Sequence, residues 1–254
     1  MSGLLDIVYM VKAGEDNEPL RHSLRSLVNL PHGRVWIVGY KPRWLHGVCY
    51  IPTMQRGAKH SNTWRNWDAM ATTPQMPDRF VLFNDDFYVT RPIEQVPNLH
   101  RGLLDDAIAW LANVRSPAYR IRMEATRRVL RRAGVAEPFY SYELHAPMVM
   151  DRAIHAESLR WLKANQTAPL DSMAKRSFYG NWAQAGGEQA HDVKVMKASH
   201  GMPESPLPFL STSTDSWAGL AGGWVRRQFD VPSVYETRGD TKYRPPMARS
   251  AQSG

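Results

Sequence analysis

Short apolar runs alternate with amphipathic stretches along the first third of the chain, and this alternation restricts the fold more than any other feature. "LLDIVYMV" (Leu4–Val11) reads as a buried strand. Leu20, Leu24, Leu27 and Val28 then fall at helical spacing, behind Asp16 or Asn17 as candidate N-cap and Pro19 in the first turn. "GRVWIVG" (Gly33–Gly39) and "GVCYIP" follow as strands. "HSNTWRNWDAMA" (His60–Ala71) is a second helix, capped by Ser61 or Asn62, and "RFVLFN" is a fourth strand. Strand–helix–strand alternation with short connections predicts an α/β fold, a mostly parallel, doubly wound (Rossmann-like) central sheet flanked by helices.

Beyond the fourth strand, residues 99–134 read as two helices broken at Ser116-Pro117, a helical insertion into the sheet framework. Ala146–Asp151 reads as a strand, "AESLRWLKAN" as a helix, "HDVKVMKASHG" as strand-like, and "DSWAGLAGGWVRRQF" as a helix despite its glycines. One catalytic domain over residues 1–236 is expected, with residues 237–254 as a flexible tail that lacks apolar periodicity. No apolar run approaches the roughly 18–20 residues of a membrane span. "MSGLLDIVYM" has no basic leader region and reads as a strand, not as a signal peptide. The single cysteine, Cys49, excludes an intrachain disulfide and a multi-cysteine zinc site, so a reducing cytoplasm is the expected location.

The formal net charge is +8, and between Arg115 and Arg132 seven arginines face one acid, Glu124. Such a segment either attracts an anionic partner, a membrane surface included, or is a solvated helix face. Nucleic-acid binding is the rival function that it raises. No RNP motif, zinc-finger spacing or evident helix-turn-helix accompanies it.

The fourth strand ends in two adjacent carboxylates, "FVLFNDDFYV". In open parallel sheets ligands bind outside the carboxyl ends of the strands. Asp85 and Asp86 in that place repel each other, and a divalent cation such as Mg²⁺, which takes one or two carboxylates and completes its shell with water and phosphate oxygens, relieves the repulsion. The alternative is a loop pair that caps a helix or meets a nearby arginine. Arg21 and Arg25 share one helix face at i,i+4 spacing, which is favourable if an anion, or the Asp pair itself, lies between them, and unremarked if both point to solvent.

"DNEPLRHSLRSL", "RVWIVGYKPRWL", "FVLFNDDFYVTRPI", "HAPMVMDRAI" and "FLSTSTDSWAG…FDVPSVYE", in this order to Glu236, resemble the conserved regions of the Stealth family. Lys12 and Ala13 stand where that family has a W-V-D-G-like strand end, Pro19 where it has a glutamate, and Thr214-Asp215 where it has N-D. The resemblance implies a GT-A-like sheet and transfer of a sugar or a sugar-1-phosphate from a nucleotide-sugar, UDP- or GDP-linked, to an acceptor hydroxyl on a saccharide, glycolipid or protein. It also implies Mg²⁺ or Mn²⁺ on Asp85 and Asp86 with Asp215 as a further ligand, although Asp215 suits a helix N-cap equally. Arg21 and Arg25 would organise the donor end, with Ser61 and Asn62, retained from the family's middle segment, on nucleoside or sugar hydroxyls. His145 is the implied general base, or else a structural histidine beside a proline. Arg176 is the implied phosphate-neutralising residue, or else surface charge. A hydrolase using the same metal chemistry is the second rival class.

Overall fold

The computed structural model describes residues 3–113, 117–165 and 172–237. Four of the expected strands form: β1 (Asp6–Val11), β2 (Val35–Gly39), β3 (Cys49–Pro52) and β4 (Arg79–Asn84). They pair in parallel in the order β3-β2-β1-β4, and β7 (Met148–Asp151) adds an antiparallel edge beside β4. Strand order therefore reverses at β1, which has β2 on one side and β4 on the other. Connections leaving β1 and β4 part at this point, the place where open parallel sheets bind ligands.

Alternation along the strands divides the core into two layers. Val8, Trp36, Val38, Phe80 and Leu82 face α2 (Lys59–Thr72), α5 (Arg152–Asn165) and α6 (Lys175–Trp182), where Trp64, Trp67, Met70 and Leu162 cover them. Ile7, Tyr9, Val11, Ile37, Val81 and Phe83 pack on the other side against Leu20 and Leu24 of α1 (Glu18–Ser26). Gly39 ends β2 at φ 121°, and a Cβ there would lie 2.2 Å from the Val11 carbonyl oxygen. A glycine is required for that close approach at the sheet's carboxyl edge.

β5 (Phe87–Val89) leaves the Asp pair directly and joins a small sheet with β10 (Phe209–Thr212) and β9 (Lys194–Val195); β6 (Leu99–His100) pairs with β8 (Glu188–Gln189). The expected helical region forms as α3 (Leu104–Asn113) and α4 (Pro117–Arg132). Arg120, Arg127 and Arg131 of α4 pair with Glu124, Asp105 and Glu137, so part of the basic helix is neutralised within the chain. Arg115 and residues 238–254 lie outside the described residues. Among those described, no helix is long and apolar enough to cross a membrane.

Three local expectations need correction. The N-cap of α2 is Ala58, so Ser61 and Asn62 lie inside its first turn. "HDVKVMKASHG" contributes only the two residues of β9 to a sheet. The last helix divides at Gly219 into α7 (Thr214–Ala218) and α8 (Leu220–Gln228), because the chain there passes so close to Ala198 that a Cβ would sit 2.1 Å from its carbonyl oxygen.

One core residue sets a pH response. His155 on α5 is fully buried, donates from Nε2 to the Trp67 carbonyl at 2.9 Å, and stands edge-on to the rings of Trp67 and Tyr179. Burial pushes its pKa down to about 4, against which the Trp67 carbonyl and Asp68 pull only partly. Between the ordinary histidine value and that one, the unfolded chain takes up a proton that the folded chain refuses. Stability is thus complete above about pH 6.5 and falls by on the order of 3 kcal/mol toward pH 4. Urea titrations from pH 7.5 to 4.5 should show this slope in the wild type and a flatter one in His155→Gln; equal slopes in the two proteins would contradict it.

Candidate functional site

Asp85 and Asp86 form the tight connection between β4 and β5 at the carboxyl end of β4. Asn17, expected as a helix cap, precedes α1 with φ 26°, and its side chain makes no capping bond. Its Nδ2 instead donates to Asp85 Oδ2 at 3.1 Å, linking the loop after β1 to the loop after β4 across the strand-order reversal. Burial pushes the Asp85 carboxyl up to about 6, with the neighbouring Asp86 charge adding to the shift and Lys12 and Asn17 opposing it. Lys194 Nζ on β9 donates to Asp86 Oδ2 at 3.0 Å.

Two oxygens here are buried and lack a donor: Asp86 Oδ1 and Asn17 Oδ1. Buried polar atoms without a partner are rare in folded chains and cost free energy. Unpartnered hard oxygens beside a buried carboxylate are the donor type that Mg²⁺ or Mn²⁺ takes. Asp215 is not gathered with them. Its Oδ2 accepts the Ala198 N–H at 2.9 Å, and Ser213, with its reciprocal bond to Ser216, is the residue that caps α7. Among the described residues no group of three or more His, Cys, Asp or Glu side chains is placed to hold a metal ion.

His145 lies in the loop that enters β7. Its Nδ1 lies 2.9 Å from Asp192 Oδ2, and its backbone N–H donates to Asp192 Oδ1 at 3.1 Å. A carboxylate can only accept, so Nδ1 carries the proton in the neutral ring and Nε2 keeps its lone pair. Burial raises the Asp192 carboxyl, but the hydrogen bond and charge of His145, helped by its backbone N–H and by Arg101, bring it down to about 2. Asp192 therefore stays ionised and orients the imidazole. Sequence reasoning missed Asp192; the only signal was its place in "AHDVKV", with nothing to tie it to a histidine 47 residues earlier.

Arg176 is not surface charge. It donates from Nη2 to the Ala146 carbonyl, the residue after His145, while its guanidinium carbon lies 5.8 Å from the Phe87 ring centroid, the residue after Asp86. Its Nε and Nη1 are buried and have no acceptor. Burial lowers its pKa, with Glu143 and Asp192 opposing. A buried guanidinium with two unpartnered nitrogens thus touches the residue after His145 and the residue after Asp86.

Arg21 and Arg25 do have an anion between them, but it is Glu236, not the Asp pair. Arg25 forks onto it through Nε at 2.8 Å and Nη2 at 2.7 Å, and Arg21 Nη1 lies 3.4 Å away with its guanidinium 4.0 Å from the Trp44 ring centroid. Both arginines are thereby committed to fastening the C-terminal segment on α1. Ser61 and Asn62 stand at the start of α2, on the carboxyl edge of the sheet. Asn62 is held by Arg65, whose Nη1 donates to its Oδ1 at 2.7 Å.

The backbone is similar to that of the galactosyltransferase LgtC in a crystal structure with donor and acceptor sugar analogues. The likeness has a TM-score of 0.50 at 12% identity and covers 89% of this chain and 94% of that one. An active-site mutant of LgtC matches over the same shares at 12% identity with a TM-score of 0.48. At this identity the likeness is one of fold: a mostly parallel GT-A-type sheet flanked by helices. No protein-family model and no curated protein sequence matches the chain, so the Stealth resemblance rests on the quoted motifs.

Proposed function

We propose that this chain is a nucleotide-sugar-dependent glycosyltransferase. What supports the reading is a GT-A-type sheet whose fourth strand ends in a carboxylate pair, with a buried guanidinium and an Asp192-oriented imidazole in the chain around the edge strand β7. The donor diphosphate would lie between Asp86 and Arg176. A divalent cation held through Asp85, Asp86 and Asn17 supplies, when bound, charge neutralisation of that diphosphate. Arg176 would meet phosphate oxygens with Nε and Nη1, and Lys194 would move between Asp86 and the same anion. His145 Nε2 would take the acceptor hydroxyl proton as the new C–O bond forms at the anomeric carbon. The bond to the diphosphate breaks with its electron pair, and nucleoside diphosphate leaves. Asp192 would stabilise the imidazolium so formed.

A second reading, Stealth-type transfer of hexose-1-phosphate, is favoured by the ordered motifs and by the unpartnered donors of Arg176 near His145. There the acceptor attacks phosphorus, a phosphodiester forms, and nucleoside monophosphate leaves. Both readings expect transfer to a saccharide, glycolipid or protein hydroxyl, with a reducing cytoplasm as the expected location.

The test is nucleotide analysis after incubation with UDP- and GDP-sugars, Mg²⁺ or Mn²⁺ and a panel of sugar acceptors. UDP or GDP is the expected product, and UMP or GMP would move the assignment to the second reading. Excess chelator should reduce turnover by about a hundredfold or more, restored by added metal; undiminished turnover would remove the metal from the reading.

A further inference from the structure

Behind the Asp192 partner of the imidazole, across Arg101, lies a cavity that the donor reading leaves without a role. It measures about 230 Å³ and is lined by Arg101, Asp106, Trp110, Tyr119, Met123 and Ser141, between α3 and α4. Ser141 is 1% exposed, lines this space, and its Oγ has no partner. Trp110 is 54% exposed, an indole left half open on the helix that forms one wall. Arg101 ties the cavity to the candidate base: its Nη1 is 3.8 Å from Asp192 Oδ2, the oxygen bound to His145 Nδ1, and its guanidinium is 5.9 Å from the Trp110 ring centroid. Tyr119, in the same lining, has Glu143, Arg101, Asp192 and Arg176 as its charged neighbours. The cavity is therefore linked to the imidazole through Arg101 and Asp192.

An open indole with a carboxylate, a guanidinium and an unpartnered hydroxyl around it is the chemistry that recognises a pyranose. The apolar C–H face of the sugar packs on the ring, and its hydroxyls bond to the polar groups at the margin. Arg101 and Asp106 balance in charge, so the lining asks for a neutral sugar. We propose that this cavity is the acceptor subsite and that it seats one neutral hexopyranoside unit, with Trp110 as its platform, on the Arg101–Asp192 side of His145. The inference rests on the transferase reading. It limits the acceptor to saccharides or glycolipids and sets protein hydroxyls aside.

The test uses the full chain and methyl glycosides of glucose, galactose, mannose and N-acetylglucosamine. In saturation-transfer NMR without donor, at least one glycoside should bind the wild type, lose its signal in Trp110→Ala, and recover part of it in Trp110→Phe. In transfer assays Trp110→Ala should raise the acceptor KM by about tenfold or more while kcat and the donor Kd change little, the pattern of lost acceptor binding. No glycoside binding to the wild type, or equal binding and equal KM in Trp110→Ala, overturns the subsite. Glycoside binding that depends on Trp110, with no donor turned over under any condition, upholds the pocket and overturns the transferase reading instead.

Discussion

Asp86→Ala is expected to fold normally and to turn over donor about a thousandfold more slowly, a loss of roughly 4 kcal/mol of charge stabilisation. Asp86 supplies an unpartnered buried oxygen, Oδ1, while its Oδ2 holds Lys194. Asp85 is the weaker choice for the experiment, since its carboxyl is held up to about 6 and is bound to Asn17. The Asp86 side chain is 21% exposed at the sheet rim, outside the core layers, and Lys194 at 16% can reach water once released. Circular dichroism and the thermal midpoint should therefore stay near wild type. Asp86→Asn separates charge from shape, because an amide oxygen still accepts from Lys194 while offering a cation far less. A fully active Asp86→Ala enzyme would dismiss the pair from the chemistry.

What could be read from the sequence is what its local chemistry determines. The strands of the parallel core are short β-branched or aromatic runs between turn residues, and α1 repeats its leucines at helical spacing, so both were legible. The reversal of strand order at β1 was not, because periodicity fixes which face is buried and says nothing of which strand lies beside which. The Asp pair was legible because its members are adjacent and end a strand. His145 was legible only as half of a unit, since Asp192 reaches it through folding. Asn17 shows a distant contact setting a side chain's direction: as a cap its Oδ1 would accept a helix N–H, yet its Nδ2 is turned to donate to Asp85. The i,i+4 arginines correctly signalled an anion between them. The choice of Glu236 over the Asp pair depends on a contact 211 residues apart, which no local pattern contains.

That contact makes the second large prediction. Glu236 has a side chain 1% exposed, Arg25 9% and Arg21 15%, and Ser233 N–H donates to the same carboxylate at 2.9 Å. Burial raises the Glu236 carboxyl, and the Arg25 fork with the Ser233 bonds outweighs it, leaving the group below the usual carboxylate range. Glu236→Ala removes the carboxylate partner of the buried Arg25 guanidinium and should cost roughly 3–5 kcal/mol in urea titrations at pH 7. The depressed carboxyl contributes above the ordinary glutamate value and loses its contribution as pH falls through the folded one. Wild type and variant should accordingly converge in acid. Arg25→Met combined with Glu236→Leu should recover much of the loss, because Arg21 can rest on Trp44 and turn to water while the remaining pair becomes apolar. The clamp also holds α1, whose N-terminus presents Asn17 to Asp85. Donor affinity should then fall several-fold in Glu236→Ala below its melting range and return in the double variant. Stability equal to wild type in the single variant would show that the buried triad fastens nothing.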